Sequence, residues 1–191
     1  MEKCKVMIVG VGGQGTLLAS RVLGRIILRH GYDVKVSEVH GMSQRGGSVV
    51  TYVCWGKKTY SPVICEGEAD FIVSFELLEA ARWAQFLKKD GILITGTQTI
   101  DPMPVITGAA EYPENIPETL KKEGIRTETL DALSIAESVG TVKAVNMVLM
   151  GKLSRHFDLP ESEWLETIAE VVPEKFISLN QAAFIAGRKE E

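Results

Sequence analysis

The chain has 191 residues, 45% of them hydrophobic, and a net charge of −4 at neutral pH. This length and composition are typical of a globular α/β domain. The acidic balance argues against a dedicated nucleic-acid binder, and no apolar run approaches the ~20 residues that a membrane span requires. Residues 1–65 nevertheless carry nine Lys and Arg against three acids, so this third has a charge of +6 and the rest −10. Such asymmetry suits a phosphorylated ligand or an acidic partner, but also a scatter of solvated charge.

A glycine-rich loop follows the first predicted strand. The apolar run over 6–9 predicts that strand, and apolar residues at helical spacing predict a first helix over 14–30. The glycines between them fit the dinucleotide fingerprint, in which backbone N–H groups and a helix N-terminus accept a phosphate. The same pattern also fits a tight turn that only packs the helix against the sheet. The candidate binding residues of this loop are Gly10, Gly12, Gly13, Gln14 and Gly15.

A second strand is predicted over 32–39, and a second unusual loop follows it. Glu38 is either a ligand for ribose hydroxyls or an ordinary loop carboxylate. Since ligands of open α/β sheets bind at the carboxyl ends of the strands, we expect this loop to lie beside the first. Arg45 can make a bidentate contact to a phosphate or carboxylate, while His40 either donates a hydrogen bond or anchors the loop. The candidate residues of this loop are His40, Gly41, Ser43, Gln44, Arg45, Gly46 and Gly47.

The rest of the chain predicts an inserted β-hairpin and a helical C-terminal part. Alternation over 48–55 and a turn signal at 56–58 predict the hairpin, near residues 48–65. Strands near 69–74, 91–95 and 125–129 then alternate with helices, and three helices over 142–186 end the chain. Asn146 lies inside the first of these and is expected to form a hydrogen-bonded link to a loop, with a contact to a ligand as the alternative. We therefore predict a single α/β domain over residues 1–191, with a Rossmann-like, mostly parallel sheet.

The chain lacks the sequence motifs that usually mark a catalytic site. It contains no Gly-x-Ser-x-Gly elbow and no P-loop lysine. Cys4, Cys54 and Cys65 form no Cys-x-x-Cys pair, which argues against a metal site and predicts buried thiols in a reducing compartment. No signal-peptide pattern precedes the first strand, which predicts a cytoplasmic location. A binding fold without catalytic groups suggests a subunit of a larger assembly.

Four segments together resemble the gamma domain of 2-oxoacid:ferredoxin oxidoreductases. They are residues 10–15, residues 38–49, Ser61-Pro62 and Glu68-Ala69-Asp70. The second is the most specific, because ordinary nucleotide-binding folds have nothing like His-Gly-Met-Ser-Gln-Arg-Gly-Gly after the second strand. The resemblance covers nearly the whole chain. It implies a part in the oxidative decarboxylation of an arylpyruvate, or another 2-oxoacid, to its acyl-coenzyme A with reduction of ferredoxin.

The resemblance also implies how the work is divided between chains. In this family thiamine diphosphate and [4Fe-4S] clusters belong mainly to a large (alpha) partner subunit, and coenzyme A is the co-substrate. This chain would bind no cofactor alone, act in a hetero-oligomer and reach ferredoxin through the complex. Its glycine loop and Arg45 would receive the phosphates of coenzyme A, shape the cleft near the thiamine, or only pack against the partner. The alternative hypothesis is a stand-alone Rossmann-type dinucleotide-binding protein.

Overall fold

The computed structural model describes residues 3–41 and 46–190, which form six strands and eight helices. The strands are β1 (Lys3–Val11), β2 (Asp33–His40), β3 (Ser48–Gly56), β4 (Ala69–Ser74), β5 (Leu87–Gly96) and β6 (Thr127–Leu130). The helices are α1 (Thr16–Arg29), α2 (Leu77–Trp83), α3 (Met103–Ile106), α4 (Ile116–Lys122), α5 (Ala132–Ser138), α6 (Val145–Ser154), α7 (Glu161–Val171) and α8 (Ile177–Lys189). None of these helices is long and apolar enough to cross a membrane.

The strands form one sheet in the order β2-β3-β1-β4-β5-β6. The pairs β1–β4, β4–β5 and β5–β6 are parallel, whereas β3 is antiparallel to both β1 and β2. The predicted α/β class, with a Rossmann-like and mostly parallel sheet, is therefore confirmed. Because β2 and β1 both run antiparallel to β3, their carboxyl ends lie at the same edge of the sheet. The two glycine-containing loops leave the sheet from this edge.

The predicted insertion near residues 48–65 differs from the structure in its second half. Residues 48–56 form β3, but residues 57–68 form no strand, and the partners of β3 are β1 and β2. A central position suits β3 because its side chains are mostly buried on both faces of the sheet. The segment after β3 is instead tied to the start of β2, where Thr59 N donates to Asp33 Oδ2 at 2.9 Å and Thr59 Oγ1 donates to Asp33 O at 2.9 Å.

Helices cover both faces of the sheet. Helices α2 and α4 pack on one face, and α1, α6 and the last two helices form the thicker layer on the other. All ten residues of α6 are buried, because the sheet lies on one side of this helix and α8 on the other. An aromatic chain joins the layers: Phe157 contacts Trp55 edge-on at 5.8 Å between ring centroids and stacks on Trp164 at 6.3 Å.

Glycines lie at two helix contacts that differ in how closely the elements approach: the α6–α8 crossing and the contact of α1 with β2. At the α6–α8 crossing, a Cβ on Gly187 would overlap the backbone carbonyl of Val148, and a Cβ on Gly151 would overlap that of Phe184. On α1, a Cβ on Gly24 would lie 3.6 Å from Val36 Cγ2, an ordinary van der Waals distance. The first crossing therefore requires glycine, whereas the second leaves room for a methyl group.

We predict opposite effects for alanine at these two kinds of glycine. Gly24→Ala should raise the free energy of unfolding by about 1 kcal/mol, since alanine is the better helix former and meets no clash. Gly187→Ala should lower it by about 1–3 kcal/mol, because two helix backbones must separate. Urea denaturation of the two variants beside wild type measures both values. Equal effects of the same sign would contradict this account of the α6–α8 crossing.

Candidate functional site

The loop between β1 and α1 places the start of a helix at the carboxyl edge of the sheet. Gly13 and Gly15 have φ values of +107° and +88°, a left-handed conformation that favours glycine. Among the described residues, no side chain caps the N-terminus of α1, and its first turn contains no acidic residue. The positive end of the helix dipole is therefore not offset locally, and this end of α1 favours an anion.

Gln14 supports the loop from within. Its Oε1 accepts a hydrogen bond from Val11 N at 2.7 Å, and its Nε2 donates to Phe75 O and to Gln98 Oε1, each at 3.1 Å. A Cβ on Gly10 would lie 2.8 Å from Gln14 Oε1, so glycine is needed there to admit this side chain. Gly10 and Gln14 thus build the loop, and the amide of Gln14 is engaged by the protein itself.

The two glycine-containing loops are bonded to one another. Gly12 N donates to Gly47 O at 2.8 Å, and Gly46 N donates to Gly12 O at 3.3 Å. The start of β3 is fixed in turn by the hydroxyl of Ser48, which donates to the buried carboxylate of Glu79. Trp83 Nε1 and Arg82 Nη1 donate to the same carboxylate at 3.2 and 3.1 Å. The second loop therefore ends on a position that is held by backbone bonds to the first loop and by the side-chain bond from Ser48 to α2.

Sequence reasoning missed the role of Glu79. The spacing of apolar residues in α2 predicts that other residues face the sheet, so Glu79 is expected to face solvent. Its carboxylate is buried and accepts hydrogen bonds from Arg82 and Trp83 of its own helix and from the Ser48 hydroxyl of β3. No pattern in the sequence brings Ser48 to α2, and only the register of β3 does so.

A cavity of about 380 Å³ lies between the first loop and the ends of β2 and β3. Its lining residues are Gly12, Gly13, Gly15, Thr16, Leu17, Glu38, His40 and Val49. The carboxylate of Glu38 is exposed and accepts a hydrogen bond from Thr51 Oγ1 at 3.5 Å. The imidazole of His40 is also exposed, with Nδ1 3.1 Å from Gly41 O. Of the predicted site residues, Ser43, Gln44 and Arg45 lie outside the described residues.

A second cavity, of about 500 Å³, lies on the other side of the same loop. Its lining residues are Gly13, Gln14, Gly15, Gln98, Leu133, Val142, Lys143 and Val145. Gly13 and Gly15 border both cavities, and no atom of residues 3–41 or 46–190 lies within 4 Å of a Cβ position on Gly13. The loop can therefore be approached closely by a ligand that extends to both sides. An anionic group of such a ligand would lie at the N-terminus of α1, and its other polar groups would lie near Glu38, His40 and Lys143.

Asn146 fixes the loop from the helical layer. Its side chain is buried, Nδ2 donates to Gly15 O at 3.3 Å, and Oδ1 accepts from Met147 N at 2.9 Å. The predicted hydrogen-bonded link from this helix to a loop is confirmed. A Cβ on Gly15 would lie 2.6 Å from Asn146 Nδ2, so the asparagine also requires glycine at that position.

The thiols of the described residues are poor candidates for metal ligands. Within residues 3–41 and 46–190, no group of three or more His, Cys, Asp or Glu side chains could hold a metal ion. Cys4 and Cys54 are buried, and burial raises the pKa of Cys54 to about 11 and that of Cys4 further. Both therefore remain neutral thiols at physiological pH. The expectation of a buried thiol is wrong for Cys65, which is exposed because it lies in the segment without strand structure after β3.

Comparison with known proteins identifies the family to which a chain with this fold and these two glycine loops belongs. The model of the family described as pyruvate ferredoxin/flavodoxin oxidoreductase matches residues 5–190, and the chain belongs to this family. It is 42% identical over 194 residues to a Thermococcus kodakarensis protein named indolepyruvate oxidoreductase subunit IorB, with 99% of this chain and 96% of that relative covered. The family resemblance of the loop segments is thereby confirmed.

Solved structures share the fold at lower identity. The pyruvate oxidoreductase subunit PORC from Thermotoga maritima superposes with a TM-score of 0.75 at 21% identity, covering 100% of this chain and 97% of that one. In the 2-oxoglutarate:ferredoxin oxidoreductase from Magnetococcus marinus, 98% of this chain matches with a TM-score of 0.75 at 18% identity but covers only 31% of the longer chain. The fold thus occurs both as a separate polypeptide and as part of a larger one.

Gly15 and Asn146 should be energetically coupled. Gly15→Ala adds a left-handed alanine, at a cost of about 1–2 kcal/mol, and a clash with Asn146. Asn146→Ala removes one of the hydrogen bonds to Gly15 O, which keeps those from Leu18 N and Ala19 N, at a cost of about 0.5–1.5 kcal/mol. The double variant lacks the clash, so it should be about 1 kcal/mol or more less destabilised than the sum of the single variants. Urea denaturation of the four proteins measures this coupling, and simple additivity would contradict the contact.

Proposed function

We propose that this chain, as one domain over residues 1–191, is the small subunit of a cytoplasmic indolepyruvate:ferredoxin oxidoreductase. With a large alpha subunit it would convert an arylpyruvate and coenzyme A into an aryl-acetyl-coenzyme A and carbon dioxide, while ferredoxin is reduced. The observation that carries the proposal is the 42% identity to a protein named as such a subunit, over 99% of this chain. The paired glycine loops at the carboxyl edge agree with an accessory role in ligand binding.

The division of chemistry follows from the donor groups that the chain offers. Thiamine diphosphate and [4Fe-4S] clusters, held by the alpha subunit, would supply the decarboxylation chemistry and the path for electrons. In the described part of this chain the buried thiols are neutral and no metal-binding cluster is formed, so its residues do not fit a cluster. Its contribution would be to bind, orient and enclose a ligand at the α1 N-terminus.

The ligand proposed for the loop is coenzyme A. A diphosphate is the anion that an uncapped helix start and a glycine loop favour. The two cavities that share Gly13 and Gly15 suit a long ligand that lies across the loop. Glu38, His40 and Arg45 would then contact the adenosine side. The proposed site residues remain those of the sequence analysis, with Gly10 and Gln14 acting through loop geometry.

The first experiment is affinity purification of the tagged chain from its native cell. We expect a large partner that carries thiamine and iron, and dye reduction that requires both indolepyruvate and coenzyme A. Removal of either chain should abolish the activity, because neither holds the complete site. Turnover of a 2-oxoacid by this chain alone would contradict the proposal.

Arg45→Ala tests the coenzyme A assignment. Loss of a charge-assisted hydrogen bond costs about 1.5–3 kcal/mol, which corresponds to about a 10- to 100-fold rise in the KM for coenzyme A. The KM for the 2-oxoacid should not change. Arg126→Ala is the matched control, since this exposed arginine immediately precedes β6, the strand at the opposite end of the sheet order from β2. An unchanged KM for coenzyme A would reject the role of Arg45.

The alternative, a stand-alone dinucleotide-binding protein, predicts a different result. It would use Gly10, Gly12, Gly15 and Glu38 to bind NAD or FAD in the isolated chain. Saturable dinucleotide binding that Glu38→Ala weakens, together with failure to find a partner, would favour it. The relatives are named as subunits, which supports the first proposal over this one.

A further inference from the structure

We propose that the groove between α1 and β2 is the surface on which the large partner subunit docks, by adding an extended segment to the free edge of β2. This inference rests on the proposed function, because it assigns the partner to a surface. The groove has a volume of about 580 Å³ and lies outside the glycine-loop cavity.

The walls of the groove are apolar and unusually exposed. Leu17 and Leu28 of α1 are 43% and 52% exposed, and Val36 of β2 is 46% exposed. Val34 and Val171 continue the same surface. Single exposed aliphatic side chains are ordinary, but a contiguous set between a helix and a strand marks an interaction site.

The strand beside the groove is an open edge. β2 is the terminal strand of the sheet and pairs only with β3 among the described residues. Proteins usually protect such edges with lysine, proline or a bulge. The one lysine of β2, Lys35, is ion-paired with Asp33 at the start of the strand, and residues 36–40 contain no lysine or proline. The backbone of this half is therefore available for pairing with an added strand.

The charge of the groove indicates what kind of chain covers it. Three arginines recur every fourth residue along α1, and two of them are already neutralised by α7. Arg25 Nε lies 2.9 Å from Glu170 Oε2, and Arg29 Nη2 lies 2.9 Å from Glu166 Oε2. Arg21 lines the groove and has no ion pair with any described residue. A partner with a carboxylate opposite Arg21 would complement this surface.

The same charge argues against a second copy of this chain. A two-fold contact places the same surface patch on both sides. Because the residues lining the groove include Arg21 and Arg25 but no carboxylate, two copies would place like charges opposite one another. A different chain, with alternating apolar residues and an acidic side chain, fits the groove better.

The groove is continuous with the candidate ligand site. Leu17 lines both the groove and the cavity at the glycine loop, and Val36 precedes Glu38 by two residues on β2. A segment bound along the groove would therefore border Glu38 and His40, whose side chains are exposed in the isolated chain. Docking would complete the wall of the cavity.

Two variants of the groove test this proposal in the co-expressed complex. Val36→Lys places an ammonium in the apolar wall, and Arg21→Glu reverses the unpaired charge; each should weaken capture by the tagged large subunit about tenfold or more. Val63→Lys and Lys121→Glu are matched controls. Val63 is an exposed valine in the loop after β3, and Lys121 is an exposed α4 lysine without an ion pair in the described part of the chain. Both controls should bind like wild type.

Hydrogen exchange of the wild-type complex gives a second measurement that does not depend on a folded variant. Backbone amides of β2 should exchange at least about tenfold more slowly in the complex than in the isolated chain, because an added strand protects the edge. Unchanged exchange along β2 would overturn the proposed pairing.

The remaining outcomes separate this inference from the proposed function. If wild type captures no large subunit, the proposed function fails. If wild type is captured and both groove variants bind as tightly as the controls, the function stands and the groove is not the interface. If the isolated chain forms a dimer that Val36→Lys dissociates, while capture of the large subunit is unchanged, the groove joins two copies and the proposal is wrong.

Discussion

The hydrogen bonding of β1 on both of its edges is the constraint on which the site depends. β1 pairs with β3 along its whole length, from Lys3 opposite Gly56 to Val11 opposite Ser48, and with β4 on the other side. This double pairing fixes the point where the first glycine loop begins. The same register fixes where the second loop ends, because Ser48 stands opposite Val11. A slip of one residue would move every side chain of β1 to the other face, where its packed neighbours differ, so close packing on both faces holds the register.

Local patterns predicted most of the fold, because they report periodicity and turn chemistry. The apolar run before Gly10 and the helical spacing after Gly15 were sufficient to place β1, the loop and α1. The conformation and hydrogen-bond partners of residues 57–68 were not predictable in this way. The predicted second strand of the hairpin does not form there, and Thr59 bonds instead to the side chain and backbone of Asp33 at the start of β2. Such a choice depends on which strand is adjacent, which short-range patterns do not contain.

The candidate site was predictable as a location but only in part as a set of contacts. The strand order brings Glu38 and His40 to the first loop, as expected for residues at the carboxyl ends of strands. The hydrogen bonds that individual side chains make in and around the loop depend on the tertiary structure. Gln14 is held by Phe75 and Gln98, which are distant in sequence, and Glu79 of α2 accepts a hydrogen bond from Ser48 of β3. Hydrogen bonds between residues so far apart in sequence cannot be predicted from the local spacing of residue types.

The complete burial of α6 has a consequence for synthesis of the chain. This helix is enclosed by the sheet and by α8, whose Gly187 lies directly against the backbone of Val148. Because α8 (Ile177–Lys189) follows α6 in chain order, it leaves the ribosome after α6 does. Until then the outer side of α6 is uncovered, and the nascent domain exposes an apolar surface of the kind that chaperones bind. The final helix therefore determines when this domain can close its core during translation.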